Sequence, residues 1–173
     1  MWIYDKKLQY PVNIKNPNAA LAKLIISQFG GPDGELGASM RYLSQRYTMP
    51  YRDVIGILTD VGTEELAHME MVCAIVYQLT RNLTPEQIKE QGFDAYFVDH
   101  TTGLYPVAAS GVPWSANTFQ STGDSIADIM EDMAADATTA KEQPQFQKAR
   151  KPLIRLAFRH FKAFCKNGIP ATI

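Results

Sequence analysis

The sequence predicts an all-α chain built on a four-helix bundle, and three observations carry that reading. Apolar residues between Arg52 and Thr80 recur with a 4-3-4-3 spacing over almost four heptads, the stripe of one long amphipathic helix. Segments 124–140 and 153–164 repeat the same period. Each of these three stripes also carries an ionisable residue at a position that the spacing turns inward, and the core of a bundle is where such groups can be gathered.

The elements follow in chain order. Segment 18–29, "NAALAKLIISQF", holds apolar Leu21, Leu24 and Ile25 and stops at Gly30-Gly31-Pro32. Pro32 suits the first turn of a second helix over 33–47, because its missing N–H is harmless there. That helix ends before Pro50. So few residues separate the two pieces that one kinked helix is the alternative. In the long helix Arg52–Thr80 the stripe is Val54, Leu58, Val61, Glu65, His68, Val72, Ile75 and Leu79, so Glu65 and His68 stand in the stripe and not beside it. Thr84 reads as the N-cap of a short helix. Segment 92–120 contains Gly103, Pro106, Gly111 and Pro113 without a period, and its aromatics Phe93, Tyr96, Phe97, Tyr105 and Trp114 make it an ordered covering loop. Helix returns at 124–140, with Ile126, Ile129, Met133, Asp136 and Ala140 inward. The last stripe, after Pro152, is Leu153, Ala157, His160 and Phe164.

Composition narrows the function classes. The 173 residues fit one domain over 1–173, with 46% hydrophobic and 20% charged residues, the mix of a soluble globular protein. A net charge of −1 argues against nucleic acid or an anionic membrane as a partner. No apolar run is long enough for a membrane helix, and the opening "MWIYDKKLQYPV" lacks the core of a secretory signal. Cys73 and Cys165 read as two thiols in a reducing cytosol. Segment 143–173 has no acidic residue but seven Lys or Arg and His160; it reads as a basic tail with a solvated helix face, a polyanion-binding patch being the alternative.

The inward carboxylates and imidazoles need an explanation. Burying an unpaired carboxylate costs several kcal/mol or forces its protonation. Glu65 and His68 lie at i, i+3 on one face, and His68 and His160 are two of only three histidines. Divalent cations resolve the cost, as in ferritin-like di-iron and di-manganese carboxylate bundles, where single Glu residues and Glu-x-x-His pairs converge. Glu35 offers a further carboxylate; its other reading is a first-turn Glu favoured by the helix dipole. Tyr42, two turns on along the same face, would donate to a ligand. His100 reads as a surface residue.

The stretches "GGPDGELGASMRYLSQRY", "GILTDVGTEELAHMEMV" and "GVPWSANTFQSTGDSIADIMEDMAAD" together resemble the manganese catalase family. The opening residues and the length resemble its short spore-coat branch, the CotJC-type proteins. The resemblance runs over about 1–136 and implies a ferritin-like four-helix bundle. It further implies two manganese ions as cofactor, with iron as the alternative, and disproportionation of hydrogen peroxide. By the same resemblance Glu35, Glu65 and His68 are metal ligands, Glu65 the bridging carboxylate, with Glu65 and Tyr42 as the residues nearest the chemistry. Asp136 stands where the family has a Glu ligand, and His160 matches the last ligand while Ala157 replaces its accompanying acid. Homo-oligomers, other spore-coat proteins as partners, and a cytoplasmic or spore-coat location are what the family implies. A structural coat protein with a vestigial site and an iron-binding ferritin-like protein are the competing readings.

Overall fold

The computed structural model describes residues 5, 7–31, 34–97, 103–104, 107–112, 115–118 and 121–142, with 136–142 as helix backbone alone. Among these residues the fold is helical, and an isolated bridge between Phe97 and Leu104 is the extent of β pairing. No helix there is long and apolar enough to cross a membrane. The expected fourth helix, with Ala157 and His160, falls in 143–173 and so lies outside the described residues, as do His100, Tyr105 and Trp114.

Helix α1 (Ala19–Ile25) starts at Asn18, whose side chain accepts from Leu21 N, and a turn at Ile26 separates it from the short α2 (Ser27–Gly30). The buried face of α1 is Ala19, Ala22 and Ile25, while Leu21 and Leu24 are exposed. Apolar content alone pointed to the larger leucines. The packing is instead set by alanines, whose small size lets α1 lie close on the next layer.

Helix α3 (Glu35–Gln45) begins two residues later than the sequence predicts, with Gly34 as an extended N-cap that makes no side-chain cap bond. Pro32, expected in its first turn, lies outside the described residues. Residues 46–51 turn the chain into α4 (Arg52–Thr80), the longest helix and the axis of the fold, with the predicted bounds. All eight stripe residues of α4 are buried or half-buried. A short α5 (Pro85–Glu90) opens on a complete capping box, in which Thr84 Oγ1 accepts from Gln87 N and the Gln87 side chain accepts from Thr84 N.

The covering loop is ordered where it is described. Phe93 and Tyr96 are buried, with ring centroids 5.0 Å apart, and Phe97 meets Phe93 edge-on at 5.7 Å. Tyr96 Oη donates to Ala109 O at 2.6 Å, and Ala109 N donates to Ser27 Oγ at 2.7 Å, so the loop is fastened to α2.

Helix α6 (Ser125–Glu142) is capped by Asp124, whose Oδ1 accepts from Ile126 N and Ala127 N. Its inward face differs from the expected one: Ile126 is exposed, whereas Asp128 and Asp132 are buried. Satisfied carboxylates outcompete an apolar residue for these positions. Asp128 alone accepts from Thr122 N, Thr122 Oγ1 and Gly123 N.

An amino-terminal strap lies along α4. The Gln78 amide accepts from Ile14 N at 2.7 Å and donates to Val12 O at 2.9 Å, and Arg81 donates to Ile14 O at 2.9 Å. Among the described residues the apolar interior falls into two clusters. One joins α1, the loop aromatics and the carboxy-terminal half of α4 (Val72, Val76, Leu79); the other joins Tyr42 and Met49 to Leu58 in its amino-terminal half. Glu65 and His68 occupy the length of α4 between them.

Candidate metal centre

Three buried side chains converge there. Glu35, Glu65 and His68 each offer a ligand atom within 4.8 Å of the others, and their exposures are 4%, 2% and 3%. The i, i+3 spacing aims Glu65 and His68 the same way, and His68 Nδ1 lies 2.6 Å from Glu65 Oε2. Glu35 arrives from the first turn of α3, across the seam between the two helices. Its burial separates it from an ordinary dipole-favoured surface Glu.

The donor set fits a divalent cation. Two carboxylates and an imidazole are ligands for manganese or iron. With metal–ligand bonds near 2 Å, two atoms on opposite sides of one ion stand roughly 4 Å apart, and the observed spread of up to 4.8 Å needs little adjustment.

Residues around the triad shape it. Glu64 Oε1 lies 3.8 Å from His68 Nε2 and accepts from Gln9 Nε2 of the strap at 2.6 Å. Tyr42 is 2% exposed on the α3 face that carries Glu35, packed among Met49 and Leu58. Ser39 Oγ donates to Gly62 O at 2.6 Å across the α3–α4 seam. Gln45 Nε2 donates to Asp132 Oδ1 at 3.0 Å, tying α3 to α6. Arg41, one turn before Gln45 and 1% exposed, brings a positive charge into a core that also buries Glu35, Glu65, Asp128 and Asp132.

Asp136 lies on α6 one turn beyond Asp132, and its side chain is outside the described residues; His160 is outside altogether. Sequence reasoning missed Asp128, Asp132, Gln45, Ser39 and Gly62. The spacing of Asp128, Asp132 and Asp136 by four was the available signal, since it places all three on one helix face.

The family model for manganese containing catalase matches residues 1–150. Protein CotJC of Bacillus subtilis strain 168 is 54% identical over 136 residues, covering 79% of this chain and 71% of that protein. A probable manganese catalase of Clostridium acetobutylicum is 35% identical over 140 residues, 79% of this chain and 61% of that one. The solved structure of KatB, a manganese catalase from Anabaena, matches with a TM-score of 0.72 at 26% identity, over 94% of this chain and 76% of that chain. The chain is thus shorter than these relatives.

Proposed function

The chain belongs to the manganese-containing catalase family, with its ferritin-like helical fold, and from that membership we propose that it disproportionates hydrogen peroxide at a buried manganese centre. The observation that carries the reading is the convergence of Glu35, Glu65 and His68 inside the helical core. Two manganese ions are the proposed complement, with Asp136 and His160 as the further ligands. Iron is the alternative for the same oxygen-rich donor set.

When bound, manganese supplies the electron exchange that lets one peroxide be oxidised to dioxygen while a second is reduced to two waters. The chain's own residues do the rest. Glu35 and Glu65 would hold the cations and offset their charge, Glu65 in the bridging role that the family resemblance implies. Tyr42, buried on the helix face that carries Glu35, is the residue proposed to orient that carboxylate. Burial between two apolar clusters would keep bulky reductants away from the centre. Protons released by one peroxide are those consumed by the other, and an acid near the site would carry them. Position 157 offers alanine for that task, so the proposed turnover is slow.

Spore-coat association and self-assembly are proposed on the similarity to CotJC. The same similarity favours a second reading, a structural coat protein in which the triad is vestigial.

Protein expressed in manganese-replete medium should contain manganese and evolve oxygen when peroxide is added. Glu65→Gln and His68→Ala should abolish both. A folded protein that takes up no manganese, or evolves no oxygen when loaded, would overturn the enzymatic reading and leave the structural one. Preferential loading and activity with iron would replace manganese.

A further inference from the structure

Building on the proposed metal centre, we infer that Ser39 and Gly62 are positioning residues: they form a close-contact clasp that sets the span between the Glu35 and Glu65 carboxylates and thereby the affinity for the ion. The two residues face each other across α3 and α4. Ser39 follows Glu35 by four residues and Gly62 precedes Glu65 by three, so each stands one turn from a carboxylate on the same helix face. Ser39, 1% exposed, donates its hydroxyl to the Gly62 carbonyl at 2.6 Å, a bond added to those within α4.

No other residue than glycine fits at position 62 without movement. A Cβ there would lie 2.9 Å from Leu43 Cγ, 3.0 Å from Leu43 Cδ2 and 3.3 Å from Tyr42 Cβ. Carbon atoms in contact stand about 3.5–4.0 Å apart, so an alanine is accommodated only if the Leu43 side chain turns aside and Tyr42 Cβ, fixed to the α3 backbone, gives way by a few tenths of an ångström. Metal–ligand distances hold to within about 0.2 Å. The carboxylates sit on opposite sides of this seam, so a shift of that size exceeds what a shared ion tolerates. Glu65 and His68, both on α4, would keep their mutual geometry and lose Glu35.

The clasp therefore acts on affinity beyond its effect on stability, and the two can be read separately. Manganese dissociation constants and metal-free melting temperatures would be measured for wild type, Gly62→Ala, Ser39→Ala, Leu43→Ala and Gly62→Ala/Leu43→Ala. Gly62→Ala should bind about 10–100-fold more weakly, the range for residues that hold ligands in place, and Ser39→Ala several-fold more weakly. Leu43→Ala removes the two nearest of the three atoms that the new methyl would meet, so the double variant should regain part of the affinity. A folded Gly62→Ala that binds manganese as wild type does overturns the inference alone, as does failure of Leu43→Ala to rescue. Should Gly62→Ala not fold, unchanged affinity in Ser39→Ala overturns it. A wild-type protein that binds no manganese overturns the metal-centre reading and this inference with it.

Discussion

Replacing Asp128 should detach the start of α6 from the loop before it, by an amount the geometry fixes. The Asp128 carboxylate accepts from Thr122 N at 2.8 Å, Thr122 Oγ1 at 2.8 Å and Gly123 N at 3.1 Å, and it is 1% exposed. Hydrogen bonds to a charged group contribute about 1.5–3 kcal/mol each. Thr122 and Gly123 are exposed, so their freed donors would turn to water. About 1 kcal/mol per bond remains after that discount, and Asp128→Ala should cost about 3 kcal/mol. Asp128→Asn keeps a carbonyl oxygen for the Thr122 pair but sets an amide N–H against Gly123 N–H, costing about 1 kcal/mol. For a chain of this size each kcal/mol lowers the melting temperature by about 2–4 °C, so the drops are about 6–12 °C and 2–4 °C. Thermal and urea unfolding should be followed with chelator present, because bound metal would mask the loss. An alanine variant within about 1 kcal/mol of wild type, or an asparagine variant as damaged as the alanine one, would refute the three-bond tether.

Three other outcomes are expected. Gly56→Ala should stabilise the protein by about 0.5–1 kcal/mol, since Gly56 lies inside α4, is exposed, and a Cβ there meets nothing within 4 Å; an unchanged or lower melting temperature contradicts this. Asp136→Glu should raise the manganese content per chain, because Asp is shorter by one C–C bond of about 1.5 Å, and Ala157→Glu added to it should raise oxygen evolution; wild type already holding two ions with turnover that neither change improves would show Asp136 to be adequate. Burial pushes the Cys73 thiol up to about 11, so in a Cys165→Ser background its alkylation at pH 8 should run about a hundredfold slower in folded than in urea-unfolded protein and rise about tenfold per pH unit; equal rates would contradict the burial.

The parts legible in the sequence were those that rest on period. The α4 stripe fixed both the extent of that helix and the inward placement of Glu65 and His68, because 29 residues give a helical period many chances to declare itself. Thr84 was legible because a capping box is local chemistry. The inward face of α6 was misread at Ile126: counting apolar residues undervalues carboxylates with partners outside the helix, Thr122 and Gly123 for Asp128 and Gln45 for Asp132. Leu21 and Leu24 misled for the converse reason, since close packing selected Ala19 and Ala22. The Ser39–Gly62 contact leaves no periodic trace, being a matter of distance between helices.

The strap has a consequence for the order in which the chain can complete itself. Its partners, Gln78 on α4 and Arg81 just past its end, lie 64 to 67 residues downstream. At synthesis rates of about 5–20 residues per second, Val12 and Ile14 wait roughly 3–13 seconds before Gln78 and Arg81 exist. Buried alanines of α1 wait nearly as long for Val76 and Leu79, whereas α3 and α4 are neighbours joined by 46–51. The strap is made before the hairpin of α3 and α4 but docks after it, so the hairpin bearing Glu35, Glu65 and His68 can close while the ribosome still holds the rest of the chain.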